Sequence, residues 1–247
     1  MNKEPDLSGT RLGTEEKSAV ALFLEDIRQL PGVSLEALVL YGSATRDDYR
    51  PGKSDVNLLV VLGNADIASL HSLLDPVFKG RRSGIAPLFL TPGDIAAGVD
   101  IFPLKFMAIR DGYRVLYGED PLAGFAIDSR NVMVRIRQRL SNMLLKVRRH
   151  YILNGGQRLT VMMSQQIKRF VETLGFLLAV NGSDAKGPQQ IIEASAREFT
   201  LDGDALKDIY ALRDQDEALP GDRAEKYYGA FLDALKKASE AADKQNG

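Results

Sequence analysis

Cysteine and tryptophan are absent, and only two histidines, His71 and His150, occur in 247 residues. Without cysteine there is no disulfide framework, thiolate nucleophile, Cys-built zinc site or iron–sulfur cluster. Two histidines exclude a His-rich metal centre. Charge of one sign is also missing: the formal net charge is −1, so overall charge cannot attract a polyanion and only a local patch could. Apolar runs such as Leu58–Leu62 and Phe176–Val180 are five residues long, far short of the ~20 that span a bilayer. The first residues, MNKEPDLSGTRLGTEEK, are polar and lack the apolar core of a signal peptide. A cytoplasmic protein with no membrane association is expected. An apolar content of 45% with 26% charged residues is ordinary for a globular chain long enough to bury a sizeable core.

The order of elements indicates a mixed α/β (α+β) protein. Residues 1–13 read as a tail. Val20, Phe23, Leu24, Ile27 and Leu30 recur at helical spacing within Glu15–Leu30, and Pro31-Gly32 stops the helix. Leu35–Tyr41 reads as a strand entering Gly42-Ser43, and Asp55–Leu62 as a strand whose run of aliphatics predicts burial on both faces. A helix over Ile67–Phe78 is followed by a strand over Ile85–Thr91, where Pro87 predicts an edge or a bulge. Then come a helix over Ile101–Arg110 and a strand over Tyr113–Tyr117. After Pro121 the pattern is helical throughout: Arg130–Leu153, Arg158–Val180, Pro188–Phe199, Leu201–Leu212 and Asp222–Asp243. The expected organisation is an α/β domain over 14–125, with a small mixed sheet, and a helical bundle over 126–247.

The stretch that can carry chemistry is Leu38–Leu62. A strand runs into Gly42-Ser43, eleven residues intervene, and Asp55-Val56-Asn57 opens the next strand. Gly42 lets a backbone or phosphate approach closely. Ser43 offers a hydroxyl and neighbouring N–H groups to a phosphate. Asp55 and Asn57, two apart, are expected on one face of the strand, where two oxygens could hold a divalent ion against a nucleotide's phosphates. Arg46 reads either as a phosphate contact or as half of a surface salt bridge. Asp47 and Asp48 read as a solvated loop.

These residues resemble the signature of the nucleotidyltransferase-fold superfamily, whose members include aminoglycoside nucleotidyltransferases and minimal nucleotidyltransferase-like proteins. Ser54-Asp55 ahead of the second strand and Tyr113–Leu122 (YRVLYGEDPL) are similar to segments of that group. The resemblance implies transfer of a nucleotidyl group from an NTP such as ATP to a hydroxyl of a small-molecule or macromolecular acceptor. In it Gly42, Ser43 and Arg46 hold the nucleotide, and Asp55 and Asn57 serve as catalytic residues and Mg²⁺ ligands. It also implies a homodimer through the helical half. The sequence departs from the pattern twice. Asn57 stands where a second carboxylate is expected, and no acid occurs from Lys79 to Thr91, where the third belongs. The alternative is therefore a catalytically degenerate nucleotide- or protein-binding regulatory module of the same fold, unless Asp47, Asp48, Asp94 or Asp100 supplies a missing carboxylate.

Asn131–Leu153 carries six basic residues (Arg135, Arg137, Arg139, Lys146, Arg148, Arg149) and no acid. It reads either as a surface for a triphosphate, a nucleic-acid end or an acidic partner, or as a helix paired with the acidic segment Asp202–Glu217. Aromatic residues of the kind a single-strand binder uses are sparse there.

Overall fold

The computed structural model describes residues 5–46, 49–214 and 218–244. The chain divides into two compact units between Ile127 and Asp128. Their architecture is mixed α and β, with one four-stranded sheet and ten α-helices among the described residues.

The first unit begins with α1 (Thr14–Arg28), then β1 (Leu35–Tyr41), a 3₁₀ turn (Gly42–Thr45) and β2 (Val56–Leu62). Helices α2 (Ile67–Ser72) and α3 (Leu74–Arg82) lead to β3 (Ile85–Leu90), and α4 (Pro92–Ile101) and α5 (Pro103–Arg110) lead to β4 (Tyr113–Gly118). The sheet order is β3-β2-β1-β4; β1 runs antiparallel to both neighbours and β3 parallel to β2. Pro87 thus sits on an edge strand, where a missing N–H costs no ladder bond on the open side.

Side-chain alternation splits the core into two layers. Leu38, Leu40, Leu58, Val60 and Leu62 pack with Val20, Phe23, Leu24 and Ile27 of α1. Val39, Tyr41, Leu59 and Val61 pack with Ile95 and Val99 of α4 and Phe106 and Ile109 of α5. The sheet is covered on both faces, which explains the uninterrupted aliphatic run of β2.

Two departures from the sequence pattern have local causes. The single helix expected over Ile67–Phe78 is two helices joined at Leu73, because Pro76 has no N–H for an i−4 bond and fits only the first turn of a new helix. Helix α4 was not foreseen. Its N-cap Thr91 hydroxyl accepts from the Asp94 N–H at 3.1 Å and the Asp94 carboxylate accepts from the Thr91 N–H at 2.9 Å, with Pro92 at the first position. This is a reciprocal cap written in Thr91-Pro92-Gly93-Asp94.

The second unit contains α6 (Ser129–Asn154), α7 (Leu159–Val180), α8 (Gly187–Phe199), α9 (Gly203–Ala211) and α10 (Gly221–Lys244). Helix α7 is apolar on most of its circumference, and every other helix of the unit packs against it. Phe170 of α7 and Phe231 of α10 are fully buried and meet edge to face, centroids 5.4 Å apart. No helix among the described residues is long and apolar enough to cross a membrane.

Candidate functional site

The antiparallel register of β1 and β2 pairs Tyr41 with Asn57, which places the Gly42 turn against the start of β2. Gly42 has φ +81°, and a Cβ there would stand 3.4 Å from Asn57 Nδ2. Its N–H donates to the Gly112 carbonyl at 3.0 Å. That fastens the turn to the Asp111-Gly112 corner ahead of β4. A Cβ at Gly112 would come within 2.5 Å of Thr45 Oγ1, so the glycine lets the corner and the turn close on each other without moving that hydroxyl. Ser43 is half-buried, and its carbonyl accepts from the Arg46 N–H at 2.8 Å. The Arg46 guanidinium pairs with the Asp111 carboxylate at 3.1 Å.

Asn57 lies between Tyr41 of β1 and Ala86 of β3, its partners in the two ladders. Its Nδ2 donates to the Asp55 carbonyl at 3.4 Å, a long bond. Asp55 itself precedes β2 and is exposed. It lines a groove of about 830 Å³ whose walls come from the start of α1 (Gly13–Glu16), the Pro51–Val56 segment and the Arg81–Gly84 turn. Gly42, Ser43 and Asn57 are not among the residues lining it. The sequence-predicted set is thus divided: Gly42 and Asn57 are brought together, while Asp55 belongs to the groove wall.

The groove holds residues that the motif did not single out. Glu16 ties two segments together: its carboxylate accepts from the Gly13 N–H at 2.6 Å and from the Gly52 N–H at 3.2 Å. Burial alone would push this carboxyl up, but those two N–H groups and the neighbouring Tyr49 hydroxyl outweigh it and hold it below its usual range. Tyr49 is buried within the α1 side of the core. Its hydroxyl faces Glu16 but makes no well-aligned hydrogen bond among the described residues. Desolvation, followed by the Glu16 and Asp55 charges, pushes it far above the ordinary phenol value. Lys53 and Arg81 line the same groove and form no ion pair among the described residues. A glycine three residues before a glutamate at a helix start was a legible sign of the Glu16 bond; the basic wall had none.

The donor set does not suit the two Mg²⁺ ions that the resemblance implies. Asp55 brings one carboxylate and Asn57 a neutral amide, and the neighbour of Asn57 on β3 is a methyl group. Asp94 is occupied in capping α4. Asp100 lies at the far end of α4, and Asp47 and Asp48 lie outside the described residues. Among the described residues no group of three or more His, Asp or Glu side chains is arranged to hold an ion.

No protein-family model matches the chain, and no curated protein matches it significantly.

Proposed function

We propose that this protein is a degenerate relative of the nucleotidyltransferases, a regulatory module that binds a nucleotide and does not transfer it. The observation that carries the reading is the register around Asn57, which sets an amide beside the alanine of β3 where the transfer reaction needs carboxylates. Retention of binding is supported by the groove beside Asp55, whose volume of about 830 Å³ falls within the ~300–1,000 Å³ range of small-molecule sites. Lys53 and Arg81, with the hydroxyls of Ser54 and Ser83, supply donors for phosphate oxygens along that groove.

Calorimetry with ATP, GTP, CTP and UTP tests this. At least one nucleotide gives a saturable heat, and Lys53→Ala with Arg81→Ala weakens it about tenfold or more, equal to about 1.4 kcal/mol. Asp55 gives the sign that separates the two readings. With no cation bridging it to the ligand, its charge repels a triphosphate, so Asp55→Ala binds as tightly as the parent or more tightly. A tenfold loss in Asp55→Ala, together with Asp55-dependent pyrophosphate release, would restore the enzyme. Absence of binding by all four nucleotides at about 1 mM ends the nucleotide reading.

A further inference from the structure

From Ser129 to Val171 the chain has ten Lys and Arg residues and no acid, in a protein of net charge −1. The structure accounts for only some of them, and residues 215–217 of the acidic segment Asp202–Glu217 lie outside the described residues. Helix α6 packs on α7 and α10. Arg130 pairs with Asp128. Arg137 reaches the end of α10, donating to the Ala242 carbonyl at 3.0 Å with Asp243 3.7 Å away. Arg139 lies over the Phe176 ring at 5.7 Å. Lys146, Arg148, Arg149 and Arg158 are left exposed, with no ion pair among the described residues.

The same end of α6 exposes large aliphatic side chains. Leu145, Ile152 and Leu153 are 64%, 77% and 67% exposed, and Val161 at the start of α7 is 50% exposed. At 3.6 residues per turn, Leu145 and Ile152 fall within about 20° of each other, opposite the buried Met143–Val147 seam, with Arg148 and Arg149 on either side. The hairpin tip that carries them is fastened from behind. Tyr151 stacks on Tyr228 at 4.9 Å and donates to Glu225 at 3.1 Å, and Gly155 caps α6 in the left-handed region.

We infer that the α6–α7 tip is a docking surface for an anionic phospholipid interface. Leu145, Ile152 and Leu153 enter the boundary between headgroups and acyl chains, while Lys146, Arg148, Arg149 and Arg158 meet lipid phosphates. Charge complementarity with an acidic surface is supplied by the acid-free run. The choice of lipid over nucleic acid follows from the tip's exposed large side chains, which are aliphatic; its one tyrosine already stacks on Tyr228. The choice over an acidic peptide follows from shape, since protruding side chains on a hairpin end form no groove for a helix or strand. This surface lies in the second unit and does not depend on the groove.

Co-sedimentation of the full chain with vesicles tests the inference. Vesicles of phosphatidylcholine with about a third phosphatidylglycerol bind the chain at least tenfold more tightly than phosphatidylcholine alone, and about 0.5 M salt abolishes the difference. Ile152→Ser with Leu153→Ser weakens binding about tenfold, and Arg148→Glu with Arg149→Glu removes it; all four positions are exposed, so melting curves stay close to the parent's. Indifference to anionic vesicles, or binding that survives both double variants, overturns the proposal. So does binding of RNA or DNA in place of vesicles, or self-association that the Ile152/Leu153 variant abolishes while vesicles are ignored.

Discussion

Glu16 shows how one side chain can set a site's geometry. Its carboxylate holds the Gly13 and Gly52 N–H groups at once, so Glu16→Gln, which keeps the shape and removes the charge, is expected to cost about 1 kcal/mol at neutral pH in a urea melt. The pH dependence has a definite sign. The folded-state value lies below the unfolded one, so this contribution is complete above the unfolded value and is lost as pH falls through the folded value. The gap in midpoint between parent and Glu16→Gln therefore begins to narrow as pH falls below the ordinary glutamate value of about 4.3 and goes on narrowing on further acidification. A gap that stays constant as the pH is lowered would mean the charge is not what stabilises the contact. Glycine makes a second prediction at this scale. Gly118 has φ +78°, and a Cβ there would lie 1.9 Å from the Glu36 carbonyl oxygen, at the end of the β1–β4 pairing where Gly118 faces Ala37. Gly118→Ala is expected to destabilise by about 2–3 kcal/mol, read from the same melts. The candidate site was legible in the sequence only where strand pairing governs it. Adjacency of Gly42 and Asn57 follows from a strand, a turn and an antiparallel return. The placement of Asp55 was not legible, because it precedes the first residue of β2 and the two-residue alternation does not yet constrain it.

At the scale of elements, local signals decided most of what the sequence revealed. β1 was readable because an apolar run ends at a glycine that only a left-handed turn explains. The long helices α6, α7 and α10 were readable because their apolar seams persist for six turns or more. Helix α4 was missed for an equally physical reason. Pro92, Gly93, Asp94, Gly98 and Asp100 are poor helix formers, and its stability comes from its cap and from burying Ile95 and Val99 against the sheet. Thr91→Ala removes one half of that cap and is expected to cost about 1 kcal/mol; a loss below a few tenths would show that packing alone holds the helix. In the bundle, Phe170 has no exposed surface and meets Phe231 edge to face. Phe170→Ala is expected to cost about 3–5 kcal/mol, enough to lower the melting temperature by more than ten degrees or to prevent folding outright.

Across the whole molecule, contacts fall into two sets, and each set has the parts of a self-sufficient domain. The first unit carries a sheet covered on both faces by helices of its own, and the second a central helix wrapped by four others. Each is of the size at which a chain buries enough surface to fold alone. The groove belongs wholly to the first unit, since every residue lining it lies between Gly13 and Gly84. The functional reading therefore makes a prediction about dissection. A fragment of residues 1–127 should unfold in one cooperative transition and bind its nucleotide within a few-fold of the full chain's affinity. Residues 128–247 should melt cooperatively and show no nucleotide heat. Scanning calorimetry and titration on the two fragments decide the matter. A first fragment that is folded yet silent toward nucleotide would show that the second unit completes the site, and the groove alone could then no longer account for binding.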